Sequence, residues 1–151
     1  MTPHNTYATG INCMDGKVQG AVRKHSKAKN HVAHVDMITQ PGIVRVLAEN
    51  TNTARLELIR EMIGISVVHH GSRAISIAAH SCCAGNPIGQ MEQIEHLKMA
   101  KQIVLEMIDD LGLDQYNIEI TLLWVGEDWM PVEINDNQFQ VEEQFSISSA
   151  N

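Results

Sequence analysis

The chain contains few of the residues that mark several common classes of protein. Aromatic residues make up only 4% of the 151 residues, which is too sparse for a surface that stacks nucleic-acid bases. The three cysteines are odd in number and two are adjacent, which fits no disulfide framework of a secreted protein. With 11 Lys and Arg against 18 Asp and Glu, the net charge of −7 would repel phosphate groups. We therefore expect neither nucleic acid nor an anionic membrane as a partner.

Long apolar segments are also missing. No stretch approaches the roughly 18 consecutive apolar residues of a membrane span. The start of the chain, Met-Thr-Pro-His-Asn, lacks the charged and apolar regions of a secretion signal. These features predict a cytoplasmic protein. In that reducing compartment, thiols that a fold brings together indicate a metal or redox site.

The chain does contain a regular alternation of short apolar segments and amphipathic ones, without an internal repeat or a linker. Strands are predicted over 7–13, 32–39, 74–79 and 117–125, with 129–134 as a candidate extra strand. Helices are predicted over 18–29, 53–68 and 90–111, and 43–48 forms a further segment between the second strand and the second helix. Thr51 or Thr53 is expected to cap the helix 53–68, and Gly71 to close it.

This order of elements predicts an α/β fold, in which a central, mainly parallel β-sheet is flanked by helices on both faces. The segment 74–79 is small and apolar throughout, as a strand covered on both faces should be, and is expected to lie centrally. A single domain over residues 1–151 is expected, with a polar tail from about 136 to 151. The apolar stripe of the last helix is predicted to contain Met91, Ile94, Leu97, Val104, Ile108 and Leu111.

Three side chains that bind soft metals are expected at the carboxyl edge of the predicted sheet. Cys13 ends the first strand, and His80 ends the third and begins the sequence His-Ser-Cys-Cys. Because parallel sheets place their sites at this edge, Cys13, His80 and Cys83 can converge. Zinc prefers thiolate and imidazole ligands, and a catalytic site keeps three protein ligands with a fourth position for water. The sequence therefore predicts a Zn2+ site held by these three residues.

Neighbouring residues have more than one interpretation. Cys82 could replace Cys83 as a ligand, act as a redox partner or pack as a small apolar residue, and we favour packing or support of the ligands. His69 and His70 fit the end of a helix better than a proton relay, because imidazolium suits the negative end of the macrodipole. The basic run at 23–29 is interpreted as a solvated helix face.

Two motifs resemble those of the β-class carbonic anhydrases, Cys-x-Asp-x-Arg and His-x-x-Cys. Residues 11–18, Ile-Asn-Cys-Met-Asp-Gly-Lys-Val, are similar to the short, minimal-length branch of that family, and the order of elements agrees from about 7 to 125. The resemblance implies Zn2+ bound by Cys, His and Cys, an Asp paired with an Arg, and a dimer as the smallest unit. It also implies the reversible hydration of CO2, although relatives with similar motifs hydrolyse CS2 or COS.

Carried over to this chain, the resemblance assigns Cys13, His80 and Cys83 to the metal and Asp15 to a position beside it. Lys17 stands where the family has Arg, and an ammonium is a mobile point charge, whereas a guanidinium grips a carboxylate with two parallel bonds. We therefore expect a loose Asp15–Lys17 pair, with Asp15 coordinating zinc in part of the population. Other departures are a Cys before the second Cys ligand, Thr-Gln-Pro-Gly at 39–42 in place of Arg-Asn-Ala-Gly, and no counterpart of the Gln that contacts CO2.

The sequence thus predicts a zinc-dependent lyase in which hydroxide on zinc attacks CO2 or a related small molecule, COS or CS2, with Asp15 and Lys17 as catalytic residues. The expected partners are that small-molecule substrate and further copies of the chain, in a homodimer or larger homo-oligomer. Two alternatives stay open. One is a non-catalytic zinc-binding domain in which Asp15 closes the metal shell. The other, less favoured, is a thiol-redox protein that uses Cys82 and Cys83.

Overall fold

The computed structural model describes residues 6–135, which contain five strands and four α-helices. A π-helical segment, Ile65–His69, continues the third α-helix, and a 3-10 turn, Asp114–Tyr116, precedes the fourth strand. The predicted tail at 136–151 lies outside the described residues. No helix of the described range is long and apolar enough to cross a membrane. In chain order the elements are β1 (Tyr7–Cys13), α1 (Gly16–Asn30), β2 (His34–Gln40), α2 (Ile43–Glu49), α3 (Thr53–Gly64), β3 (Ala74–His80), α4 (Gln90–Asp110), β4 (Glu119–Val125) and β5 (Pro131–Ile134).

The strands form a five-stranded sheet in the order β2-β1-β3-β4-β5. The first four strands are parallel, and the short β5 pairs antiparallel with β4 at one edge. The predicted mainly parallel α/β sheet is therefore confirmed, and β3 is its central strand, as its apolar composition indicates. The register pairs Thr9 with Ile75 and Ile11 with Ile77, so the carboxyl ends of β1 and β3 lie side by side.

Helices cover both faces of the sheet. Helices α2, α3 and α4 pack on one face, where Ile11 and Ile77 meet the apolar stripes of all three helices. Helix α1 covers the other face, and its Val18 and Val22 pack with Leu123. Each such side chain stabilises the fold by about 1.5–3 kcal/mol when it is fully buried. The core under α1 extends to the carboxyl edge of the sheet, where it includes two of the three cysteines.

Helix α1 begins two residues before its predicted start, and α3 begins at the predicted Thr53 but has a different cap. Asp15 caps α1, and its carboxylate accepts a hydrogen bond from the backbone N–H two residues further on, so α1 begins at Gly16. The expectation that Thr51 or Thr53 caps α3 is wrong. Asn52 is the cap, and its side chain accepts a hydrogen bond from Arg55 N at 3.2 Å.

Two other predictions for the helices need correction. The predicted helix 53–68 changes to π-helical winding at Ile65 and ends at His69, before Gly71 turns the chain with a φ of 75°. Met91 is 42% exposed and does not belong to the buried stripe of α4. The buried residue in the first turn of α4 is instead Gln93, whose side-chain amide donates to the carbonyl oxygen of His80 at the end of β3.

Candidate metal centre

Cys13 and His80 occupy the last positions of neighbouring parallel strands. Strand β1 ends at Cys13, β3 ends at His80, and the two strands are hydrogen-bonded to each other in the sheet. Cys83 follows in the turn after β3, where its carbonyl accepts a hydrogen bond from Asn86 N at 3.2 Å. The turn therefore returns Cys83 to the edge of the sheet at which the other two residues lie.

The three side chains form a compact group. Their candidate ligand atoms all lie within 4.8 Å of one another, and all three residues are buried. The Sγ atoms of Cys13 and Cys83 are 3.8 Å apart. Two sulfurs that each lie about 2.3 Å from one zinc ion at a tetrahedral angle are also separated by about 3.8 Å. The thiols therefore have the spacing of a tetrahedral zinc site, and residues 6–135 contain no second group of this kind.

His80 has one ring nitrogen without a hydrogen-bond partner. Its Nδ1 lies 2.9 Å from the carbonyl oxygen of Ser81, which can only accept, so Nδ1 carries the proton. Nε2 is then the free lone pair, and it is buried with no partner among the described residues. An orphaned buried acceptor costs about 1–3 kcal/mol. A metal ion at Nε2 would remove that cost. Most metal-binding histidines are oriented in the way seen here, by a hydrogen bond from the other ring nitrogen to a carbonyl, a carboxylate or water.

The electrostatics of the two thiols also favour a cation. Burial first, and then the neighbouring Cys13 thiol, raise the pKa of the Cys83 thiol above its ordinary value. Two thiolates at this separation would repel each other in a site with little water. A divalent cation between them reverses both effects, because a coordinated thiol loses its proton. The residues present therefore fit Zn2+.

Gln93 supports His80 and was missed by sequence analysis. Its side chain is buried, and Nε2 donates to the carbonyl oxygen of His80 at 2.9 Å and to that of Ile88 at 3.4 Å. These bonds fix the end of β3 and the following loop to the first turn of α4. The signal was available, since Gln93 is a polar residue four positions before Leu97 on the apolar stripe of the helix.

Arg55 supports the other side of the centre, and no sequence pattern indicates it. Its Nε donates to Gln40 Oε1 at 2.8 Å, and its Nη2 donates to the carbonyl oxygen of Pro41 at 2.7 Å. Gln40 is the register partner of Cys13 on β1. Arg55 therefore holds the loop that follows β2 against the strand end that carries the first thiol.

Two glycine backbones bring the loops after β2 and β3 into direct contact. A Cβ atom on Gly85 would lie 2.5 Å from Gly42 N and 2.8 Å from the carbonyl carbon of Pro41. The cavity lined by Gly42 and the three candidate ligands has a volume of about 10 Å³. That is close to the smallest cavity that holds one water molecule. The centre has room for an ion and little more.

Asp15 and Lys17 lie next to each other but interact weakly. Asp15 Oδ1 accepts a hydrogen bond from Lys17 N at 3.0 Å, whereas Oδ2 is 3.9 Å from Lys17 Nζ. The ammonium lies 4.8 Å from the ring centroid of Trp129, and the Lys17 side chain is 61% exposed. Asp15 is not among the three residues whose ligand atoms cluster within 4.8 Å. The expected loose pair is therefore present, and ligation by Asp15 stays a prediction.

Cys82 does not pack as we expected. It is exposed, whereas Cys13 and Cys83 are buried, and its φ of 55° lies in the left-handed region. This conformation lets the turn direct consecutive cysteine side chains to different environments. Cys83 lies beside Cys13 and not beside solvent, so the sulfur that joins the candidate centre is that of Cys83.

His69 and His70 lie at the opposite end of the sheet. His69 ends the π-helical segment, in agreement with the favoured interpretation, and His70 Nδ1 lies 2.7 Å from Asp36 Oδ2. Both precede β3, whose length separates them from His80 by about 20 Å at 3.3 Å per residue. A direct proton relay from the metal centre to these residues is therefore wrong.

One family profile covers the described residues. The profile of a family described as "Putative carbonic anhydrase" matches residues 3–135. No functionally curated protein sequence matches the chain. Among solved structures, the β-carbonic anhydrase CafA of Aspergillus fumigatus is 13% identical, with a TM-score of 0.43 over 87% of this chain and 76% of that one. The β-carbonic anhydrase isoform I of Trichomonas vaginalis is 15% identical, with a TM-score of 0.46 over 87% of this chain and 83% of that one.

Proposed function

Because the chain belongs to the carbonic anhydrase family whose profile matches residues 3–135, we propose that it is a zinc-dependent lyase that hydrates CO2. The related small molecules COS and CS2 are the alternative substrates. One observation carries the proposal. The Cys13 and Cys83 sulfurs are 3.8 Å apart, beside a buried imidazole nitrogen that has no hydrogen-bond partner within residues 6–135.

Each residue of the centre has a distinct role in this proposal. Cys13, His80 and Cys83 hold Zn2+, which when bound supplies a fourth position where the pKa of water falls to about 7. Asp15 accepts a hydrogen bond from the reacting water through Oδ2, because Oδ1 already accepts one from Lys17 N. Lys17 positions Asp15, although only through one contact of 3.9 Å. Gln93 keeps His80 in place through its carbonyl.

The two adjacent cysteines provide the test. The native protein should contain close to one zinc per chain by elemental analysis and should hydrate CO2 in a stopped-flow assay. Cys83→Ser should lose zinc affinity by more than about 100-fold, beyond the effect of removing a supporting residue, and lose activity with it. Cys82→Ser is the matched control and should keep both. Equal zinc in the two variants would overturn the proposed ligand set, and metal-free native protein with a titratable disulfide would favour the redox alternative.

A second prediction concerns Lys17, whose substitution should change the rate of CO2 hydration but not the zinc content. Lys17→Arg should raise CO2 hydration near neutral pH, because a guanidinium can hold both oxygens of Asp15 where the ammonium holds neither closely. Zinc content should stay the same. An unchanged or lower rate with full zinc would contradict the positioning role of Lys17.

A closed zinc site without turnover is the second candidate, and two observations favour it. The cavity at the ligands is only about 10 Å³, and the cation that would keep Asp15 away from the metal is largely exposed. In this case the native protein would contain zinc but would show no CO2 hydration between about pH 7 and 9, where the water of an open site ionises. Activity that appears only as the pH rises would instead indicate reversible ligation by Asp15.

We also propose that the protein works in the cytoplasm as a homodimer or larger homo-oligomer. The family supports this assembly, and the low cysteine count fits the compartment. Light scattering on the zinc-loaded protein measures the assembly directly, and a monomer at all concentrations would contradict it.

A further inference from the structure

One buried amide beside the candidate metal centre has no role in the proposed function. Asn86 lies three residues after Cys83, is only 2% exposed, and lines the same small cavity as the three candidate ligands. Its backbone shapes the turn, because Asn86 N donates to the carbonyl oxygen of Cys83 at 3.2 Å and its own carbonyl oxygen accepts from Ile88 N at 2.8 Å. A polar side chain that is buried at this place needs a hydrogen-bond partner of its own.

That partner is His96, in the second turn of α4. The side-chain nitrogen Nδ2 of Asn86 lies 3.2 Å from Nδ1 of His96. An amide nitrogen can only donate, so Nδ1 is the acceptor and the proton of the neutral ring is on Nε2. His96 is half-buried, and within residues 6–135 it makes no other hydrogen bond or ion pair. The one polar contact of this histidine is therefore with the turn that carries Cys83.

Helix α4 holds this turn at both of its ends. Gln93 Nε2 donates to the carbonyl oxygen of His80 at 2.9 Å, before the turn, and His96 accepts from Asn86 after it. Residues three apart lie on the same side of a helix, so one side of α4 makes both contacts. Cys83 lies between the two contacts, and its position relative to His80 depends on both of them.

The turn between these contacts contains a residue in a costly conformation. Cys82 has a φ of 55°, in the left-handed region, which a residue with a side chain keeps only where the surrounding structure holds it there. The bond between Asn86 and His96 supplies such a restraint at the end of the turn away from His80. Without it, the turn could relax and carry the Cys83 sulfur away from its position 3.8 Å from the Cys13 sulfur.

We propose that His96 is a positioning residue that acts on Cys83 through the side chain of Asn86. The unprotonated Nδ1 of His96 holds the amide, the amide holds the end of the turn, and the turn keeps the sulfur at the spacing that zinc needs. His96 itself does not line the cavity at the ligands. The inference rests on the proposed zinc centre, because it assigns a support to one ligand of that centre.

The zinc affinity of the full chain tests the proposal, with two variants that differ in one acceptor. His96→Leu removes the acceptor and should weaken zinc binding about tenfold, as for other supporting residues. His96→Asn offers a carbonyl oxygen two bonds from Cβ, where the histidine has Nδ1, and should restore most of the affinity. Competition with a chromogenic chelator measures both. His69→Leu, exposed and at the opposite end of the sheet, is the matched control and should bind zinc as the native protein does.

NMR of the purified chain gives a readout that a general loss of packing would not mimic. In the native chain the 15N signal of His96 Nδ1 should be that of an unprotonated ring nitrogen. One proton of the Asn86 side-chain amide should exchange slowly with water, because it is hydrogen-bonded and buried. That slow exchange should be lost in His96→Leu and kept in His96→Asn.

The possible failures point to different causes. Native zinc affinity in His96→Leu would overturn the proposal, since the turn would then not need the bond. Equal weakening in His96→Leu and His96→Asn would also overturn it, because the acceptor would not be what supports the ligand. Both results presuppose zinc in the native protein and leave the proposed function intact. A native protein that binds no zinc would overturn this proposal and the proposed function together.

Discussion

The two ends of the sheet each carry a buried polar cluster, and the clusters differ in whether they are complete. In the amino-terminal half, Thr9 Oγ1 bonds to Ser66 Oγ at 2.7 Å and to Ser72 Oγ at 2.8 Å. Ser66 in turn donates to Asp36 at 2.6 Å, and His70 bonds to the same carboxylate oxygen at 2.7 Å. Every hydroxyl in this cluster has a protein partner.

In the cluster at the carboxyl end, several buried polar atoms lack a hydrogen-bond partner within the described residues. His80 Nε2 has no partner, the Cys83 thiol faces another thiol, and both amide atoms of the adjacent, fully buried Asn12 are unpaired within the described residues. A saturated cluster stabilises the fold by itself, whereas unsatisfied buried polar atoms are satisfied by a bound water molecule or ion. The two ends therefore differ in whether the described residues complete the cluster, and only the carboxyl end has the unpaired donors and acceptors that the proposed metal site needs.

The largest effect is expected where the two loops of the metal centre touch. Gly85→Ala places a Cβ 2.5 Å from a backbone nitrogen that cannot move independently. We expect a loss of about 3 kcal/mol or more in unfolding free energy, at the upper end of overpacking effects, together with lost zinc affinity. Gly89→Ala is the control, since nothing lies within 4 Å of its Cβ position. Denaturant titration measures both, and equal stabilities would show that the loops do not need this contact.

The next effect belongs to the saturated cluster. Thr9→Val keeps the shape of the side chain but removes the hydrogen bonds to Ser66 Oγ and Ser72 Oγ, which keep only Asp36 and the carbonyl oxygen of Ala74 as partners. The loss of two buried hydrogen bonds should lower the unfolding free energy by about 2 kcal/mol. Zinc affinity should be unchanged, because the cluster lies at the other end of the sheet. Thr121→Val, half-buried on β4, controls for the chemical change. A drop in zinc affinity for Thr9→Val would show that the two clusters are coupled.

The smallest effect should come from a residue that acts on a ligand through its backbone. Gln93→Met removes the donor to the His80 carbonyl and should weaken zinc binding about tenfold, as for other supporting residues. The binding constant can be measured by competition with a chromogenic chelator. Gln102→Met, at an exposed position on the same helix, should change nothing. If the two variants bind zinc equally, Gln93 supports the fold and not the centre.

The sequence predicted most of the fold because local patterns and chain order are both strong here. Alternating apolar strands and amphipathic helices allow few arrangements other than a parallel sheet, and the apolar composition of β3 places it at the centre. Asn52 shows the limit of this reasoning, since several polar residues precede α3 and only the three-dimensional turn selects one. Ile65 shows another, because no sequence pattern distinguishes π-helical winding from an α-helix.

The candidate centre was predicted as a set of residues but not as a shape. Cys13, His80 and Cys83 follow from chemistry and from the position of strand ends, and the structure brings all three together. The solvent exposure of Cys82 could not be predicted, because the residue type does not reveal that its φ is left-handed. Arg55 did not follow either, since its contact with the loop after β2 depends on how α3 crosses the sheet.

Cys82 offers a practical use of this turn. It is the one cysteine of the chain with an exposed thiol, and it lies between the two ligands that β3 and its turn supply. A maleimide dye should therefore label Cys82 alone, without prior mutation of the other two cysteines. Its emission would then report the arrival of a metal ion in real time, in a protein whose interior thiols remain untouched.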